Sequence, residues 1–220
     1  MATRFERQLE ELHVQLITMG SLCEKAISLS AKAIQGKGEE LAQQVFDTDR
    51  EIDSKEREIE TLCMRLLLHQ HPVARDLREI SAALKMISDM ERIGDQCADI
   101  ADLSLFIDKN AVRVPDEIGQ MAEETVKMVT GSVDAFVKTD LELCRKVIDY
   151  DDLVDGAFNQ VKEKLADLIY QDMDAKVGLD LLMTAKYMER IGDHAVNIAE
   201  WVEFSITGEH RNNEHQMGGK

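Results

Sequence analysis

Proline is almost missing from this chain, with two in 220 residues, and aromatic side chains make up only 5% of it. Proline breaks helices and aromatics favour strands, so both scarcities favour long helices over sheet. Long apolar runs are missing as well. No stretch reaches the roughly 18 uninterrupted apolar residues that a bilayer span needs, so direct membrane insertion is not expected. The opening residues, Met1-Ala2-Thr3-Arg4-Phe5-Glu6-Arg7, are charged and lack the apolar segment of a secretion signal. Cysteine is sparse: Cys23, Cys63, Cys97 and Cys144 form no CxxC pair, which points to reduced core thiols in a cytoplasmic protein. Basic clusters are absent and the formal net charge is −17, which disfavours nucleic acid and acidic lipid. Cations, and proteins with basic faces, are the natural partners. The GxxxxGK[ST], GxGxxG and GxSxG signatures are missing, so neither nucleotide binding nor acyl transfer is supported and no enzyme is expected.

What remains is 44% hydrophobic and 31% charged, a normal mix for a globular protein, with long stretches rich in Ala, Leu, Glu, Lys, Met and Arg. The few punctuating residues divide it into six helices. Gly36-Lys37-Gly38 ends a first helix that starts near Thr3, and Glu39-Glu40 suits the opening turn of a second, where the helix dipole favours negative charge. That helix ends near His69, ahead of Pro72, and a third runs from about Val73 to Phe106. Pro115-Asp116-Glu117 opens a fourth, Thr139-x-x-Glu142 reads as a capping box for a fifth, and Asp172–Asp174 opens a sixth. Glu91-Arg92-Ile93-Gly94-Asp95 recurs letter for letter as Glu189-Arg190-Ile191-Gly192-Asp193, and Asp49-x-x-Ile52-Asp53 recurs as Asp151-x-x-Val154-Asp155. Two blocks repeated in the same order imply duplication. The expected fold is all-α: six long helices as two tandem three-helix-bundle repeats, over residues 1–108 and 114–206, with a disordered tail over 207–220.

Acids interrupt the helical seams at matched places. Steps of three and four along the third helix give Leu77, Ile80, Leu84, Ile87, Glu91, Gly94, Ala98, Ala101 and Leu105, with Glu91 where packing wants a hydrocarbon. Glu189 repeats this in the sixth helix, and Asp49 and Asp151 do so in the second and fifth. Each is followed four residues on by another acid, Asp95, Asp193, Asp53 and Asp155, about 6 Å along the same face. Folding each hairpin at Pro72 or Asp172, the midpoints between paired motifs, sets their acids at one height. Gathered anions need pairing, protonation or metal. All-oxygen ligation suits Mg, Ca or Mn, and bridging carboxylates hold Fe or Zn. Gly94 and Gly192 are justified where a backbone or an ion comes close. Against metal stand Arg92, Arg190, Lys85 and Lys186, which offer ordinary acid/base ladders.

The doubled ERIGD-x-x-x-x-I-A-[DE] block with its upstream DxxxD motifs resembles the PhoU family of phosphate-uptake regulators, over essentially all of the chain before the tail. The resemblance implies metal at Asp49, Asp53, Glu91 and Asp95, and again at Asp151, Asp155, Glu189 and Asp193, the ion being divalent or trivalent Fe, Zn, Mn or Mg. It also implies a cytoplasmic homodimer that represses the phosphate-starvation response. Such a protein contacts the ATP-binding subunit of the phosphate transporter and a sensor histidine kinase. The second block keeps the family's His194 and Asn197-Ile198-Ala199, whereas the first departs from it with Gln96 and Asp99. Two other classes remain: a metal-free structural bundle, and a carboxylate-bridged metal enzyme, whose di-iron form needs two Glu-x-x-His elements. Only Glu10-x-x-His13 lies in a predicted helix.

Overall fold

The structure, a computed structural model, describes residues 4–36, 38–69, 73–109 and 114–209. Six helices occupy them: α1 (Arg4–Ile34), α2 (Glu39–His69), α3 (Ala74–Lys109), α4 (Asp116–Lys138), α5 (Leu141–Tyr170) and α6 (Ala175–Thr207). No helix among the described residues is long and apolar enough to cross a membrane.

The chain reverses where its backbone can leave the helical region. Gly36 and Gly38 take φ of 86° and 93° between α1 and α2, a region open to glycine because it has no Cβ. Between α4 and α5 one residue corrects the sequence reading. Thr139 does not cap α5; it sits in the left-handed region at φ 55° and closes α4, its N–H donating to Ala135 and Phe136 carbonyls. The cap of α5 is Asp140, whose Oδ1 accepts the N–H groups of Glu142 and Leu143, each at 3.0 Å. Asp174 caps α6 in the same way through the N–H of Lys176. The turn expected at Pro72, and the tail from residue 210 on, lie outside the described residues.

Helices α1, α2 and α3 pack into one bundle, and α4, α5 and α6 into a second. The bundles join through α1 on α4 and α3 on α6, so each joining helix meets its own counterpart. α2 and α5 stay on the outside, each packed on its two bundle partners. Leu12, Leu16, Ile27, Ile52, Ile59, Ile80 and Met86 fill the first bundle, and Met121, Val154, Val161, Leu181 and Met188 the second, all at most 1% exposed. They belong to one continuous core. All four cysteines are free and buried, and burial holds their thiols high, Cys63 and Cys144 at about 12. Of the two lysines set beside the acids in sequence, Lys85 lies over the Trp201 ring instead, 5.8 Å from its centre.

Candidate metal centre

Each hairpin, α2 with α3 and α5 with α6, carries its acids to one level. A Cβ built on Gly94 of α3 would stand 2.7 Å from Oδ1 of Asp49 on α2, and 3.2 Å from Ile52. The glycine therefore admits the carboxylate against the backbone of α3. At Gly192 the same test finds Oδ1 of Asp151 at 3.4 Å, an ordinary contact. The duplicated motif thus builds the same junction twice, tighter in the first copy.

Both admitted oxygens are orphans. Oδ1 of Asp49 and Oδ1 of Asp151 are buried and have no hydrogen-bond partner. Burial, then the charges of Asp53, Asp95 and Asp99, pushes the Asp49 carboxyl up to about 6. Burial, then Asp155, Asp193 and Glu189, pushes Asp151 to about 6 as well. Glu91 is raised by burial and by Asp95, and Glu56, seven residues after Asp49 on α2, acts on it too. Asp155 and Asp193 are raised by burial and then by Glu189. All eight residues named from sequence thus fall into two groups of four, in which like charges crowd one another.

Side-chain cations relieve part of this crowding. Arg92 donates to Asp95 at 2.7 Å and lies 3.5 Å from Glu91. Lys186 pairs with Glu189, and its ammonium stands 5.6 Å from the centre of the Phe158 ring. Neither cation reaches the orphan oxygens. Among the described residues no three His, Cys, Asp or Glu side chains are grouped so as to hold an ion as they stand. The acids form two clusters of like charge, and ligation asks their side chains to turn toward one point. Two orphan oxygens, an all-carboxylate donor set and a missing Cβ are the features of these clusters that suit a hard cation.

Other residues singled out in the sequence lie elsewhere. His13 pairs with Glu79 at 2.7 Å and meets Phe136 edge-on, so the Glu10-x-x-His13 element serves packing between helices and supplies no ligand to these clusters. His194 lies at the joint between the repeats: its side chain is 18% exposed, and Nδ1 lies 2.9 Å from Asp89 across the contact of α3 with α6. Asn197 donates to the same carboxylate at 3.1 Å. By the repeat offset, Tyr187 and Asp99 are the counterparts of Asp89 and Asn197, and Tyr187 and Asp99 act on each other electrostatically. Asp89 and Tyr187 went unnoticed in the sequence because they lie off the seam. Only the repeat offset, carried across the joint, could have found them.

An all-helical tandem duplication with one carboxylate cluster per copy is the class of protein that this geometry defines. The PhoU domain profile matches it twice, over residues 16–104 and 118–202. A phosphate-specific transport system accessory protein PhoU homolog of Clostridium acetobutylicum is 35% identical over 93% of this chain and 94% of its own. The homolog of that name in Pseudomonas aeruginosa is 33% identical over 94% and 87%. The crystal structure of PhoU from P. aeruginosa superposes with a TM-score of 0.87, at 32% identity, covering 94% of this chain and 100% of that one. The phosphate transport system regulatory protein PhoU from Streptococcus pneumoniae gives a TM-score of 0.87 at 25% identity, covering 95% and 100%. The chain belongs to the PhoU family.

Proposed function

We propose that this chain is a non-catalytic accessory regulator of a phosphate-specific transport system. It acts as a negative regulator of the phosphate-starvation response and of high-affinity phosphate uptake. The observation that supports this is the match over nearly the full length to proteins named as phosphate-specific transport system accessory proteins, with the family's domain in both halves of the chain. In this role the protein works in the cytoplasm, as a homodimer, between the transporter's ATP-binding subunit and a sensor histidine kinase. Its charge of −17 suits basic protein faces and disfavours nucleic acid.

The clusters serve this role as metal sites. Asp49, Asp53, Glu91 and Asp95 would hold metal in the first repeat, and Asp151, Asp155, Glu189 and Asp193 in the second. A bound cation would supply charge neutralisation between the acids of α2 and α3 or of α5 and α6. The orphan oxygens of Asp49 and Asp151 give each site an anchor from the outer helix, and Asp95 and Asp193 act on them from the inner one. Iron, zinc, manganese and magnesium all accept carboxylate oxygen, with manganese and magnesium the best fit to a purely oxygen set.

Deleting the gene in its host and measuring alkaline phosphatase or transporter expression in phosphate-rich medium tests the regulatory role. Release of that expression from repression is expected, and unchanged expression counts against the role. Elemental analysis of purified protein tests the metal separately. Replacing Glu91 and Glu189 by Gln lowers the retained metal if those side chains are ligands.

A further inference from the structure

Granting that this chain regulates by contact with protein partners, we propose that its α3–α6 face docks a two-fold pair of identical basic subunits, one chain to each pair. α3 and α6 run antiparallel, and their contacts repeat about a pseudo-two-fold axis. Asp89 meets Asn197, and their counterparts Tyr187 and Asp99 act on each other. Arg78 lies 3.5 Å from the Ser205 carbonyl toward one end of the face. Its counterpart Lys176 lies 5.9 Å from the centre of the Phe106 ring toward the other.

Each end of the face is apolar, with side chains that correspond one to one. Leu67, Leu84 and Phe204 at the first end fall on Ile169, Leu182 and Phe106 at the second, and Leu68 falls on Tyr170. Leu84 and Leu182 precede Asp95 and Asp193 by eleven residues, and Phe106 and Phe204 follow them by eleven. Eleven residues are close to three whole turns, so all four stay on the face that carries the acids. At the first end Leu67, Leu77, Leu84 and Phe204 line one groove. Leu68 is 69% exposed and Leu77 45% there, and at the other end Tyr170 is 92% exposed and Leu179 59%. The two ends stand roughly 33 Å apart along α3, from Leu84 to Phe106 at 1.5 Å per residue.

Between its ends the face is acidic even with every base counted. From Leu84 to Phe106 and from Leu182 to Phe204, α3 and α6 carry four bases, Lys85, Arg92, Lys186 and Arg190, against nine acids. The flanking stretches add to this: residues 49–67 of α2 carry four bases and six acids, and residues 151–169 of α5 two bases and five acids. A partner seated here needs basic side chains between two apolar anchors. Acidic lipid is disfavoured by the same charge. Anchors and charge both repeat about one axis, so the partner that meets both ends alike is a pair of identical subunits about its own two-fold.

Native mass spectrometry of the full chain mixed with the purified ATP-binding subunit of the host's phosphate transporter, and separately with the cytoplasmic part of its sensor kinase, tests this. One chain to two partner subunits is the expected ratio. Leu68→Ser with Leu77→Ser at the first end, and Tyr170→Ser with Leu179→Ser at the second, should each weaken binding about tenfold. All four side chains are exposed, so unchanged melting temperatures separate lost docking from misfolding. One-to-one binding, or weakening by only one of the two variants, overturns the two-fold face and leaves the partners standing. Binding that neither variant weakens overturns the face altogether. Variants that instead split the chain's own dimer assign the ends to a second copy, against the proposal. A wild-type chain that binds neither protein overturns the proposal together with the partner reading on which it rests.

Discussion

Asp49 and Asp151 each bury one carboxylate oxygen that nothing donates to, and this governs how the metal-free chain responds to pH. Both carboxyls are raised from an ordinary value near 3.8 to about 6 by burial and by neighbouring acids. Between these values the folded chain binds more protons than the unfolded one, so the two groups favour folding below about pH 4 and stop doing so as pH rises through 6. Metal-free Asp49→Asn with Asp151→Asn should therefore be more stable than wild type at pH 7, by about 1–2 kcal/mol per site after solvent screening. The gap should close as pH falls to about 4. Urea titrations in chelator across that range measure it, and a variant less stable than wild type at pH 7 would contradict the assignment. The paired glycines give a second expectation of opposite signs. Gly192→Ala meets only ordinary contacts and should gain about 1 kcal/mol of helix propensity. Gly94→Ala drives a methyl to 2.7 Å from the Asp49 oxygen, so it should lose stability and, once metal is present, the metal of the first cluster. Thermal melts and elemental analysis of the two single variants decide it.

Helix boundaries were legible wherever a residue has one dominant backbone preference. Glu39-Glu40 opens α2 and Asp116-Glu117 opens α4, as their place in the first turn suggests. Thr139 misled because its side chain suits a cap, while the tight passage from α4 to α5 needs it in the left-handed region and hands the cap to Asp140. Asp140→Ala should consequently lower stability by about 1 kcal/mol, read by thermal melting, with Thr139→Ala costing less. Legibility of packing followed the number of neighbours. α5 touches only α4 and α6, so its seam through Val147, Val154, Val161 and Leu165 is its buried face. α3 touches α1, α2 and α6, so Ala83, Met86, Met90, Ile93, Cys97 and Ile100 form further buried surface that a single seam leaves out. The eight acids were readable because an acid in a seam is conspicuous. The contact of Asp89 with His194 was not, because contacts across the joint leave no period in either helix.

At the scale of the molecule, the joint between repeats decides whether the clusters act alone. α1 on α4 and α3 on α6 share a continuous core, and the joint is fastened by Asp89 to His194 and Asn197 and by Thr130 to Glu24. With so much apolar surface shared, unfolding one bundle exposes the face of the other, and a single cooperative transition is expected. Cation binding to either cluster then stabilises the whole chain by mass action. An ion at a hundred times its dissociation constant adds about 2.7 kcal/mol. For a chain of this size that raises the melting temperature by roughly 5–10 °C. Scanning calorimetry of Asp151→Asn with Glu189→Gln, which keeps only the first cluster, should show one peak that moves up intact as manganese is added. Sodium chloride at equal ionic strength screens the exposed share of the −17 charge but cannot fill the buried places beside Asp49 and Asp151, so its shift should be the smaller. Two peaks, with only one moving, would mean that the bundles unfold separately. In that case an ion on the first cluster could not be felt in the second repeat.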